Sequence, residues 1–196
     1  MARRGSYAKG IAKREEILTT ALELVASQGF RRTSIKDIAD AVGLTQAGLL
    51  HYFDSKDELW VEILRRRDEV DNATDWHASD PAALLAAIVR HNTEVPGLVQ
   101  MFVNLSAAAA TDREHPAHEY FRQRYDNSRR DVAADFRAMQ ADGRLRPDVD
   151  PEQLASVLLA ISDGMQIQWL YDPSRDMAEH VELVARLAIA QATPAS

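Results

Sequence analysis

Apolar residues recur along this chain three and four positions apart, the period of a helix with one buried face, and no stretch alternates apolar and polar as a half-buried strand does. Ile17, Ala21, Leu24 and Val25, flanked by Leu18 and Leu22, form the stripe of a first helix ending near Gly29, a residue suited to the position after a helix. Its basic start, Lys9 to Arg14, is expected to fray. Ser34-x-x-Asp37 has the form of a capping box, and Ile35, Ile38, Ala39 and Val42 carry a second helix to Gly43. A third, short helix is predicted from Thr45, with Leu49 and Phe53 on one face and Ala47, Leu50 and His51 on the other. A fourth opens at Ser55, where Ser55-x-x-Glu58 precedes Leu59, Ile63 and Leu64.

Further along, caps and breakers separate longer amphipathic segments. Ser79-Asp80-Pro81 reads as an N-cap followed by a first-turn proline, ahead of Leu84, Leu85, Ile88 and Val89. Pro96 and Gly97 separate that segment from Leu98 to Ala110; His115-Pro116 opens a helix to about Ala141, closed by Gly143 and Pro147. Asp150-Pro151 starts a helix with Leu154, Val157, Leu158, Ile161 and Met165 on one face, and a last helix, from about Asp176 to Gln191, holds Val181, Val184 and Leu187. The predicted fold is all-α, with about nine helices in a three-helix head, residues 1–56, and a helical body, residues 57–196, continuous through the fourth helix.

Composition narrows this picture. With 196 residues and 46% apolar content the chain can bury a full core. The basic N-terminus lacks the apolar run of a secretory signal, and no stretch reaches the roughly 18 apolar residues of a membrane span, so a cytoplasmic location is expected. The absence of cysteine removes disulfides, thiolate nucleophiles and cysteine metal sites. The net charge of −7 hides an asymmetry: residues 1–56 carry nine basic side chains against six acidic ones, a net of +3, which leaves −10 for the rest, and no lysine follows Lys56. A mildly basic head on an acidic body suits a DNA reader whose body stays off the phosphates; two solvated faces of unequal composition would look the same.

Two short helices joined by the turn "VGLT" form the unit of a helix-turn-helix, whose second helix enters the major groove. Arg32-Thr33-Ser34-Ile35-Lys36-Asp37-Ile38-Ala39, then Val42-Gly43-Leu44-Thr45, Leu49, Tyr52-Phe53 and Lys56, resemble the DNA-binding head of the TetR family of repressors over roughly residues 10–60, and "DGMQIQWLYDP" near the end adds a weaker likeness in the body. The resemblance implies base-edge or near-base contacts from Thr45, Gln46, Ala47, Leu50 and His51. Gln46 can pair bidentately with adenine, and Ala47 or Leu50 can pack on a thymine methyl. The family more often has an aromatic where Leu50 stands, which favours an apolar contact there. Gly48 would let the backbone approach DNA, although a first-turn glycine also costs little in itself.

Thr33, Tyr52, Lys56 and the amides at the starts of the second and fourth helices are placed to meet phosphates, since helix N-termini favour anions. For Thr33 the alternative is a purely local cap, for Tyr52 a ring packed between helices, and for Lys56 a solvated side chain. Arg3 and Arg4 fit either a minor-groove arm or a basic tail.

A single recognition helix makes few contacts, so two heads held roughly 34–36 Å apart are expected, with the body supplying a homodimer. Leu154, Val157, Leu158, Ile161 and Gly164 on one terminal helix and Val181, Val184 and Leu187 on the other are the predicted interface. The resemblance also implies a small-molecule effector pocket in the middle helices, for which Trp60, His91, Asn92, Met101, Phe102, Asn104, Tyr125, Met165 and Trp169 are the candidate liners, each with a core role as its alternative. Embedded polar residues such as Asn92 and Asn104 need partners if buried, and a ligand is one such partner. Asp112, His115, His118 and Glu119 have the residue types of a metal site, but His115 also fits a helix cap. No cofactor or metal is predicted. No phosphate loop, nucleophile elbow or paired-carboxylate motif points to catalysis, so the chain is not expected to be an enzyme. The competing readings are a helical metalloenzyme built on His115 and His118, and an interaction protein whose head does not bind DNA.

Overall fold

A computed structural model describes residues 2–188, with side chains described from Ala8 onward. Among the described residues there are nine α-helices, one 3-10 turn and no β-strand: α1 (Ala2–Gln28), the turn Phe30–Arg32, α2 (Ile35–Ala41), α3 (Gln46–Leu50), α4 (Lys56–Ala73), α5 (Pro81–Glu94), α6 (Pro96–Thr111), α7 (Ala117–Ala141), α8 (Pro151–Tyr171) and α9 (Met177–Ala188). The side chains of Arg3 and Arg4, and the predicted last turn to Gln191, lie outside the described residues.

The expected caps set the boundaries. Ser34, Thr45 and Ser55 each stand in extended backbone and accept from the amide three residues on. Asp150 caps α8 by accepting from the amides of Glu152 and Gln153. The capping box expected at α2 is complete, whereas the one expected at α4 closes on one side. At α2 both halves close, since Asp37 N–H donates to the Ser34 hydroxyl at 3.2 Å and Ser34 N–H donates to the Asp37 carboxylate at 2.8 Å. At α4 the Ser55 hydroxyl accepts from Glu58 N–H at 2.9 Å, while the Glu58 carboxyl lies among the like charges of Glu62 and Asp54.

The basic start of α1 does not fray. Lys13 donates to the Val42 carbonyl at 2.6 Å, and Arg14 bonds Glu62 at 2.6 Å with its guanidinium 5.0 Å from the centre of the Phe53 ring. These long-range ties hold a segment whose own sequence offers little packing, as its half-exposed Ile11 shows.

The chain forms two compact units, the first running to Asp75 and including Val95–Phe121, the second comprising Trp76–Glu94 and the residues from Arg122 onward. In the first unit α1 packs against α2, α4 and α6, and α2 against α3. Ile17, Ile38, Leu49, Leu59, Ile63 and Met101 are fully buried there. The approach of α6 to α1 is backbone to backbone: a Cβ on Gly97 would lie 2.1 Å from the Val25 carbonyl oxygen and 2.9 Å from the Gly29 Cα. Only glycine fits at that crossing. In the second unit α9 packs on α5 and α8, and Phe136, Leu145, Leu158, Met177 and Val181 are buried.

Candidate nucleic-acid interface

With five residues, α3 falls far below the roughly 12–15 that hold helical form alone, so tertiary contacts must fix it. Leu49 is fully buried and Phe53 nearly so. Removing a side chain such as Leu49 from water contributes about 1.5–3 kcal/mol. The backbone preceding α3 is ordered by its own turn: Gly43, in left-handed backbone at φ 68°, donates to Asp40 O at 3.2 Å, and Leu44 donates to Ala39 O at 2.8 Å. Thr45 then caps the helix by accepting from Gly48 N–H at 3.0 Å.

This scaffold presents one face outward. Thr45, Gln46, Ala47 and His51 are exposed, while Gly48, Leu50 and Tyr52 are half-buried. The Tyr52 ring lies edge-on to His51 with centroids 6.4 Å apart. Gly48 has a local explanation, because a Cβ there would stand 3.2 Å from the Thr45 hydroxyl oxygen, the atom that caps the helix.

The phosphate candidates divide. Lys56, first residue of α4, is exposed. Thr33 is only 6% exposed and donates to the Gly29 carbonyl at 2.9 Å, which ties α1 to α2 and leaves the hydroxyl facing its own chain. Of the two roles open to Thr33, the local one is what this geometry carries. At the start of α2 the Asp37 carboxyl is held below the usual carboxylate range by hydrogen bonds from the Ser34 hydroxyl and then the Ser34 amide. A carboxylate thus occupies the helix end that the sequence offered to a phosphate. Two further cations outside the expected site, Arg31 and Arg32, stand exposed on the 3-10 turn and form no ion pair among the described residues. A basic pair directly before a capping box is the signal that would have found them.

Residues 17–63 match the model of bacterial regulatory proteins of the tetR family, and residues 81–194 match that of the BetI-type transcriptional repressor C-terminal domain, which alone covers more than half of the chain. The chain belongs to the TetR family of transcriptional regulators. It is 47% identical over 53 residues to the HTH-type transcriptional repressor KstR2 of Rhodococcus jostii, and 38% identical over 55 residues to the HTH-type transcriptional regulator RutR of Escherichia coli. Those matches span 27–28% of this chain and 26% of each relative's length. The fold extends further. A TetR transcription regulator from Haloarcula marismortui superimposes with a TM-score of 0.72 over 91% of this chain and 99% of its own, at 21% identity. A transcriptional regulator from Saccharomonospora viridis, solved in complex with choline, does so at 0.68 over 91% and 98%, at 24% identity. A TetR-family member is a DNA-binding helix-turn-helix regulator and not an enzyme, as its repressor relatives indicate.

The candidate effector contacts of this TetR-family chain fall into both units. In the first, Trp60 packs edge-on against Phe30 with centroids 5.0 Å apart, and Phe102 lies against Phe121 at 5.5 Å. Met101 is fully buried, whereas Asn104 is exposed and donates to the Gln100 carbonyl at 2.7 Å, contrary to its expected embedding. In the second unit Asn92, Met165 and Trp169 are buried, and half-buried His91 lies 3.3 Å from Glu94 and tilts against Trp76. Tyr125 donates to Asp163 at 2.5 Å; burial, then the Asp163 charge, push its phenol well above the ordinary value. A recess of about 300 Å³ in this unit, lined by Asp80, Leu84, Asp135, Met139 and Arg144 among others, includes none of the predicted contacts. Buried Gln166, which the sequence reading did not select, has an amide oxygen without a hydrogen-bond partner among the described residues.

The predicted dimer residues also divide. Leu154, Leu158 and Val181 are buried within the subunit's own core, so they are not free to meet a partner. Ile161, Gly164 and Val184 are half-buried, and Val157 and Leu187 are exposed. Ile167, Tyr171 and Leu183 join the exposed apolar surface of α8 and α9.

At the start of α7, His115 accepts from Ala117 N–H at 3.0 Å, a cap, and His118 Nδ1 donates to the Ala109 carbonyl at 2.8 Å. Among the described residues no three acidic or histidine side chains are grouped to hold a metal. No described helix is long and apolar enough to cross a membrane.

Proposed function

We propose that this TetR-family regulator is a cytoplasmic repressor that binds a palindromic operator as a homodimer and leaves it when a small-molecule effector occupies the body. Residues 1–56 act as the DNA-binding domain and residues 57–196 as the effector and dimerisation domain. The observation that carries this reading is the outward face of α3, where Gln46, Ala47 and His51 stand exposed on a helix anchored by Leu49 and capped by Thr45. Gln46 and His51 have the hydrogen-bonding groups for base edges, Ala47 and Leu50 the apolar groups for a thymine methyl, and Lys56 the charge for a phosphate.

The dimer reading is supported by the exposed apolar side chains of α8 and α9, among them Leu187 at 67% and Tyr171 at 89% exposure, which a partner would cover. The effector reading is supported by the buried Gln166 oxygen, since an unpaired buried acceptor costs about 1–3 kcal/mol and a donor on a ligand would relieve it. It is further supported by the regulator of like fold that holds choline.

Selection of duplexes from a random pool tests the reading. The expected winner is a two-fold symmetric site whose binding is lost in Lys56→Ala and whose base preference shifts in Gln46→Ala. A pool without an enriched palindrome defeats the repressor assignment. Steep loss of affinity with rising salt separates a DNA reader from an interaction protein.

A further inference from the structure

Lys13 is one of the nine cations of the basic head, and by composition alone it counts toward the charge that meets DNA. Its geometry assigns it elsewhere. The side chain is 25% exposed; its ammonium donates to the Val42 carbonyl at 2.6 Å and to the Glu16 carboxylate at 2.9 Å. Val42 is the C-cap of α2 and the first residue of the turn that ends at Thr45, the N-cap of α3.

Three carbonyls at that end of α2 accept from within the turn: Ile38 O from Val42 N–H, Ala39 O from Leu44 N–H and Asp40 O from Gly43 N–H. The Val42 carbonyl accepts instead from α1, 29 residues away in sequence. A cation there also meets the negative end of the α2 dipole. Because α3 is too short to hold a direction by its own hydrogen bonds, its aim depends on the turn and on Leu49.

We propose that Lys13 is a positioning residue for the recognition helix, acting through the Val42 carbonyl to fix the turn and hence the aim of α3, and not a phosphate contact. This rests on the DNA-binding reading and adds a residue that the resemblance did not select.

Lys13→Met keeps most of the stem and removes the donor; Lys13→Arg restores a donor. The probes are the duplex enriched by the unaltered protein and a random duplex of equal length, each titrated over a range of salt. Lys13→Met is expected to bind the enriched duplex about tenfold more weakly, the loss of one charge-assisted hydrogen bond, with an unchanged salt slope and unchanged binding to the random duplex. Lys13→Arg should recover most of the loss. In the free protein, amide hydrogen exchange at Gly43 and Leu44 should quicken in Lys13→Met and return toward normal in Lys13→Arg.

A salt slope lower by about one, with both duplexes weakened alike, makes Lys13 a phosphate contact and overturns the proposal. Unchanged exchange at Gly43 and Leu44 overturns it as well, as does failure of the arginine to rescue. If the unaltered protein enriches no duplex, the DNA reading fails separately, and the exchange measurement still decides whether Lys13 clamps the turn.

Discussion

The two compact units meet water in opposite ways. Around α3 the exposed positions are polar or small, Gln46, Ala47 and His51, and Leu49 is turned inward with Leu50 half-buried. On α8 and α9 the exposed positions include Val157, Ile167, Tyr171, Leu183 and Leu187, although these helices already bury Leu158 and Val181. A surface that meets a nucleic acid exchanges polar groups with water until its partner arrives, whereas exposed apolar side chains gain free energy by being covered. Two helical glycines also differ. Gly97 in the first unit has backbone at 2.1 Å from where a side chain would begin, while Gly164 on α8 has nothing within 4 Å.

The sharpest way to break this comparison is to charge the apolar surface. Val157→Glu combined with Leu187→Glu is expected to weaken the proposed dimer about a hundredfold, about 3 kcal/mol, with little change in the fold because both side chains are exposed. Sedimentation velocity over a range of concentrations reads the dissociation; an unchanged dimer would move the interface away from α8 and α9.

The glycine contrast comes next. Gly97→Ala should destabilise the first unit by about 3 kcal/mol, since the added methyl meets a carbonyl oxygen that moves only with the α1 backbone. Gly164→Ala should raise subunit stability by about 1 kcal/mol through helix propensity. Urea unfolding of the two variants reads both signs. Weaker dimerisation in Gly164→Ala would show that a partner uses the open space.

A smaller effect separates the two capping boxes. Ser34→Ala should cost about 1 kcal/mol and Ser55→Ala less, because only the first box closes on both sides. The contribution of Asp37 has a definite pH sense. Its folded-state pKa is depressed by Ser34, so its stabilisation is present above the unfolded value, about 3.9, and is lost as pH falls through the folded value. Thermal melts of Ser34→Ala and the unaltered protein should therefore draw closer in strong acid, leaving the part due to the Asp37 N–H bond to the Ser34 hydroxyl.

The smallest effect concerns Glu58. Burial first, then Glu62 and Asp54, push its carboxyl above the usual range, so the charged form is disfavoured in the folded chain and the penalty appears once the pH exceeds the unfolded value, about 4.3. Glu58→Gln should melt slightly higher than the unaltered protein at neutral pH and lose that advantage below pH about 4. A lower melting temperature at neutral pH would mean that Glu58 supports the start of α4.

The sequence by itself determined where most of the helices begin, because caps and first-turn prolines act on backbone groups within about four residues of themselves. Ser34, Thr45, Ser55 and Asp150 cap their helices where local chemistry placed them. It also determined that Ala47 and His51 face away from Leu49 and Phe53, whereas Leu50, expected on that outward side, is half-buried. What only the tertiary structure decided is how each side chain is used. Leu158 and Val157 are adjacent apolar residues on a helix apolar around much of its circumference, and only the packing of other helices against α8 makes the first core and the second surface. Lys13 and Lys56 are both lysines of a basic head, yet one reaches the Val42 carbonyl and the other stands free in solvent. Helical period fixes an angle around an axis; what lies across from that angle depends on segments distant in sequence, and no local pattern encodes it.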